Sequence, residues 1–143
     1  MRIAVACDHG GVELKAEIAE GLLAAGHQVE DFGTDSSESV DYPDFGRAVA
    51  EQVAKGSAER GILVCGTGQG MAMTANKVPG VRAGVVSDVF SARMIVEHNN
   101  AQVLCLGARV VGPGLANSIV DAFLTAEFAG GRHARRVNKI ELP

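Results

Sequence analysis

A chain of 143 residues with 47% hydrophobic residues and a formal net charge of -4 is long enough for one domain to bury about two-thirds of its unfolded surface, and it lacks the basic excess that nucleic-acid binding exploits. Its three cysteines, Cys7, Cys65 and Cys105, form no CxxC pair, which argues against a disulfide framework or a zinc site and fits a reducing cytoplasm. No apolar run approaches the length of a signal segment or a membrane span, so the expectation is one cytoplasmic domain over residues 1–143 with no nucleic-acid or membrane partner.

In chain order, Arg2 to Cys7 forms the first short apolar run, and Val12, Leu14, Ile18, Leu22 and Leu23 follow as a helical stripe that Gly26 can end. Gln28 to Phe32 reads as the second strand, and Pro43 starts the second helix. Gly61 to Cys65 is the third strand, with a helix from Met71 to Lys77 after its glycine loop. Arg82 to Val86 precedes Asp88 and a helix over Val89 to Glu97, and Gln102 to Leu106 precedes a helix opened by Pro113 and reaching Phe128. Gly130-Gly131 breaks that helix, and Arg132 to Ile140 forms a last, basic one that adds little to the core of the sheet. Continuous apolar strands alternating with helices describe five βα repeats, hence an α/β three-layer Rossmann-like sandwich: a five-stranded parallel sheet with a C-terminal extension helix. Functional groups are then expected beyond the carboxyl ends of the strands.

The third strand delivers Cys65 into Gly66-Thr67-Gly68-Gln69-Gly70. Glycines at alternate positions uncover backbone N–H groups at the start of a helix, a place where a phosphate or a developing oxyanion is stabilised and a thiolate is favoured. Cys105, centred in an apolar strand, reads instead as a small buried hydrophobe. Met71 stands where a dinucleotide fingerprint requires its third glycine and where a C-x5-R phosphatase requires arginine, and no G-x-x-x-x-G-K-[ST] pattern is present.

Asp8, His9, His98 and Asn99 are the other polar candidates, and all are expected at one rim of the sheet. Asp8 is also suited to capping the first helix. Arg132 and Arg136, four apart, share a helix face and with His133 and Arg135 suit an anionic small molecule.

The stretches Cys7-Asp8-His9-Gly10, Gly33-Thr34, Asp41-Tyr42-Pro43, Cys65-Gly66-Thr67-Gly68, Ala75-Asn76-Lys77, His98-Asn99, Gly107 to Gly112 and Gly130-Gly131-Arg132-His133 resemble the type B ribose-5-phosphate isomerases of the ribose/galactose phosphate isomerase group, over essentially the whole chain. That resemblance implies aldose–ketose isomerisation of a phosphorylated sugar through a cis-enediolate, without a metal or organic cofactor. By position it implies Cys65 as the base, Thr67 as its assistant and His98 as the group that opens the furanose ring. Gly66, Thr67, Gly68, Gln69 and Gly70 correspond to the anion hole, and Asp8, His9, Asn99, Arg109, Arg132 and Arg136 to sugar- and phosphate-binding positions. It further implies a homodimer with active sites between subunits, either alone or paired into a tetramer. Ribose 5-phosphate is the expected substrate, with allose 6-phosphate, galactose 6-phosphate and tetrulose phosphates as alternatives. A non-catalytic nucleotide-binding module is the competing class.

Overall fold

The computed structural model describes residues 1–141. Its strands are β1 (Arg2–Cys7), β2 (Gln28–Asp31), β3 (Arg60–Cys65), β4 (Ala83–Val85) and β5 (Val103–Gly107). All pairings are parallel and the sheet order is β2-β1-β3-β5-β4. The helices are α1 (Val12–Ala24), α2 (Tyr42–Ala54), α3 (Gln69–Asn76), α4 (Val89–Glu97), α5 (Pro113–Thr125) and α6 (Arg132–Ile140). Among the described residues, no helix is long and apolar enough to cross a membrane.

The three layers follow from the two apolar faces of the strands. Ile3, Val5, Ile62, Val64, Leu104 and Leu106 pack with Leu14 and Ile18 of α1, Val96 of α4 and Ile119 and Phe123 of α5. Ala4, Ala6, Leu63, Val103 and Cys105 face the other way, against Val49 and Val53 of α2 and Met71 and Ala75 of α3. Neighbouring strands β1 and β3 therefore send their helices to opposite faces. That divergence opens a crevice between their carboxyl ends, the position where doubly wound sheets bind ligands.

Local signals account for most helix ends. Gly26 takes φ +89 just past α1, Pro43 lies in the first turn of α2, and the Asp88 carboxylate accepts the Ser91 N–H at 2.7 Å at the start of α4. The helix expected to reach Phe128 instead stops at Thr125, with Ala126 extended. The reason is tertiary: the Ala129 N–H donates to the Glu97 carbonyl at 2.9 Å, which draws the connection onto the end of α4 before α6 begins. As expected, α6 contributes little to the sheet's core, burying only Val137.

Lys15 falls on the buried face of α1 and is only 4% exposed. Its ammonium donates to the Asp31 carboxylate and to the Thr34 carbonyl, each at 2.7 Å, and Asp31 also accepts the Gly33 N–H at 2.8 Å. This latch ties the segment after β2 to α1. Lys15→Met leaves the Thr34 carbonyl with only the weak Cys7 thiol donor and Asp31 without its ion-pair partner, and the expected loss is about 2 kcal/mol, read as a lower urea midpoint at fixed protein concentration. An unchanged midpoint contradicts that role for the ion pair.

Candidate active site

The β1 and β3 ends meet where the chain reverses direction across the sheet. The Asp8 N–H donates to the Val64 carbonyl at 3.1 Å, which sets the two loops side by side. The Asp8 carboxylate does not cap α1. It accepts the Gly10 N–H at 2.9 Å, while the N-cap position of α1 is Gly11, with no side-chain cap. This turn holds Gly10 against the Gly66 amide, whose nitrogen lies 3.9 Å from where a Cβ on Gly10 would stand.

Cys65 ends β3 and is 6% exposed. Its Sγ accepts the Gly68 N–H at 3.1 Å. Gly68 has φ +85, and a Cβ there would also press on the Leu106 backbone at 3.1 Å, so glycine is needed for both shape and space. Gly107 serves the same loop from β5: an added Cβ would stand 2.8 Å from the Thr67 backbone. The Thr67 hydroxyl accepts the Gln69 N–H at 3.3 Å, leaving its own proton free to donate. The backbone N–H groups of Gly66, Thr67 and Gly70 have no partner among the described residues. Thiol and free amides thus share one loop, an arrangement able to take a proton from carbon and hold the resulting oxyanion.

The other two thiols are unsuited to such work. Burial pushes Cys7 up to about 11 despite the opposing charge of Lys15, and complete burial, with the nearby Cys65 acting in the same direction, pushes Cys105 up as well. Arg109 leaves β5 toward this loop, its Nε 4.0 Å from where a Cβ on Gly66 would stand. His9 is exposed, and its Nδ1 accepts the Val40 N–H at 3.2 Å. That bond fixes the neutral ring with its proton on Nε2, facing outward as a donor. A cavity of about 410 Å³ lies beside it, lined in part by Glu13, Glu17, Ser37 and Gly112.

His98 and Asn99 do not join this rim within one chain, contrary to the expectation from sequence. A crossover helix in a parallel sheet runs back toward the amino ends of the strands, so residues at the end of α4 lie at the opposite edge. Asn99 accepts from Arg82, which precedes β4, through its carbonyl at 3.1 Å. Gly61 pairs with Val103 and Cys65 with Gly107, so about 13 Å of strand separates the two edges. His98 is instead stacked on His133 of α6, with ring centroids 4.3 Å apart and planes 8° from parallel. Arg132 and Arg136 are close enough to act on His133 electrostatically. The second edge is therefore a cationic cluster of His98, His133, Arg132 and Arg136.

Partial burial, then the electrostatic influence of His98, Arg132 and Arg136, holds the His133 ring below the usual imidazole value. A lowered value in the folded chain means that the unfolded chain binds the proton more readily. The packing of α6 is therefore undiminished above about pH 6.5 and weakens as pH falls through that value toward the folded one. The His133 ring proton resonances are expected to titrate with a midpoint below about 6.5; a midpoint at or above it contradicts this environment.

Among the described residues, no group of three or more His, Cys, Asp and Glu side chains is arranged to hold a metal ion. What the first edge provides is a buried thiol beside unpartnered backbone amides, and what the second provides is a cluster of positive charge. Comparison with known proteins gives that pairing its class: the chain is a sugar phosphate isomerase of the aldose–ketose kind. It belongs to the Ribose/Galactose Isomerase family, whose model matches residues 3–140.

A solved ribose-5-phosphate isomerase B from Clostridium thermocellum is 58% identical, with a TM-score of 0.97 over 98% of this chain and 95% of that one. The ribose-5-phosphate isomerase B of Escherichia coli (strain K12) is 50% identical over 139 residues, 97% of this chain and 93% of that protein. A D-erythrulose-4-phosphate isomerase of Pectobacterium atrosepticum is 45% identical over 141 residues, 98% of this chain and 93% of that protein.

Proposed function

We propose that the protein interconverts ribose 5-phosphate and ribulose 5-phosphate through a cis-enediolate, with Cys65 as the base. The observation that carries this reading is the Gly68 N–H donated to the Cys65 Sγ at 3.1 Å, on a loop whose Gly66, Thr67 and Gly70 amides are free. The thiolate removes the C2 proton of the open-chain aldose phosphate and returns it to C1. The charge that builds on the substrate oxygens meets the amides of the Gly66 to Gly70 loop, which are already oriented and reorganise little. The free hydroxyl proton of Thr67 serves the exchange between O1 and O2.

His98 opens the furanose ring, Asp8 and Asn99 hold sugar hydroxyls, and Arg109 lies over the anion loop. The phosphate is held by His9 through Nε2 and by Arg132 and Arg136. Because the last two, with His98 and Asn99, belong to the opposite edge of the sheet, the site is completed by a second copy of this chain, and the working unit is at least a homodimer.

The relatives at 58% and 50% identity favour the pentose phosphate, and the one at 45% supports erythrulose 4-phosphate as the second reading. Steady-state kinetics on ribose 5-phosphate, allose 6-phosphate, galactose 6-phosphate and erythrulose 4-phosphate separates them. Ribose 5-phosphate is expected to have the highest kcat/KM. A higher value for the four-carbon substrate replaces the pentose reading with the second one.

A further inference from the structure

We propose that His133 is a positioning residue, whose ring, stacked on His98, fixes the plane from which His98 exchanges protons with the furanose. The proposal rests on the reading of His98 as the ring-opening group. Opening ribofuranose breaks the C1–O4 bond, removes the proton of the O1 hydroxyl as the C1 carbonyl forms, and places a proton on O4. A neutral imidazole has one lone pair and one N–H, so a single ring can both accept and supply, provided that its edge is aimed correctly.

The backbone beneath His98 is already fixed. The His98 N–H closes α4 on the Met94 carbonyl at 2.8 Å, and Asn100 ends the helix with φ +49. The Arg82 guanidinium grips the turn through the Asn99 and Asn100 carbonyls at 2.9 to 3.2 Å. The ring is another matter. Neither nitrogen of His98 has a hydrogen-bond partner among the described residues, whereas a working histidine is ordinarily oriented by a carboxylate or carbonyl on one of them.

The parallel stack at 4.3 Å restrains the ring plane and leaves both nitrogens on its open edge. It costs His98 no donor and no acceptor. The far side of the stack is itself anchored, since α6 is tied through Ala129 to Glu97, through buried Val137 to the body and through Glu141 to Arg82. The titratable and charged groups facing His133 are His98 from α4 and Arg132 and Arg136 from its own helix. Ring opener and phosphate ligands are thereby set on one rigid unit.

Ribulose 5-phosphate carries its phosphate on O5 and stays acyclic, so exchange of its carbon-bound proton with solvent deuterium bypasses ring opening. His133→Ala is expected to lower kcat on ribose 5-phosphate about tenfold, as misaimed catalytic groups do, and to leave that exchange unchanged. His133→Phe, which keeps a flat ring against His98, is expected to recover most of the loss. Added to His98→Asn, His133→Ala is expected to cost nothing more. Equal losses in both assays, a raised KM with kcat intact, or Phe performing no better than Ala overturns the proposal. If His98→Asn alone turns over the furanose normally, the ring-opening reading itself fails, a result distinct from failure of His133 to support it.

Discussion

Cys65→Ala is expected to lower both turnover and solvent exchange of the transferred proton, read at C1 of the ketose, by about three orders of magnitude, within the range that a positioned acid or base contributes, while the chain stays folded. The side chain is small and sits at a strand end, so its loss removes little packing. No other thiol can take over: Cys7 is pushed up to about 11 and hydrogen-bonded to the Thr34 carbonyl, and Cys105 is fully buried in the sheet. Thr67 and the amides remain, which leaves the oxyanion donors with no base to create the anion. The measurement is deuterium incorporation into ribulose 5-phosphate by NMR, since it reads the proton transfer directly. Exchange persisting at a tenth of the native rate or more assigns the base to another residue.

The sheet was legible because β1, β3 and β5 are short apolar runs buried on both faces, with no polar alternation to disguise them, whereas the edge strand β2, Gln28–Asp31, is polar and largely exposed. Strand order was less legible. Nothing in Val103 to Gly107 states that β5 inserts between β3 and β4, since periodicity reports which residues are buried and not which neighbour covers them. The glycine loop after β3 was readable from Cys65 and its glycines, as both conformation and close approach demand glycine at Gly68.

His98 was misplaced for a different reason. Its residue type marked it as a candidate, but its position after α4 puts it at the amino edge of the sheet, a consequence of crossover direction rather than composition. Lys15 was invisible because a lysine in a helix is ordinarily solvated. Its burial is decided by Asp31 and Thr34, which reach it from 16 and 19 residues away. The stacking of His133 on His98 likewise depends on a contact between elements that no local pattern encodes. Both misses concern residues whose partners come from elsewhere in the chain.

Mixing two inactive variants is expected to restore activity, because the two halves of the proposed site lie at opposite edges of one sheet. A chain with Cys65→Ala keeps the cationic cluster, and a chain with Arg132→Ala and Arg136→Ala keeps the thiol loop. Random pairing of equal amounts makes half the dimers mixed, and each mixed dimer has one site free of substitutions and one carrying both sets. The expected recovery is about a quarter of native activity if sites lie between copies related by a two-fold axis. A site contained in one chain always carries a substitution, whatever its partner, and recovers nothing. The geometry favours the first outcome: β3 separates the edges by about 13 Å, and side chains at the amino edge would have to reach around the packed sheet to meet a sugar held at Cys65. Co-expression, purification of the mixture and assay on ribose 5-phosphate gives the answer in one number, and activity no higher than that of the two variants measured apart would return the whole site to a single chain.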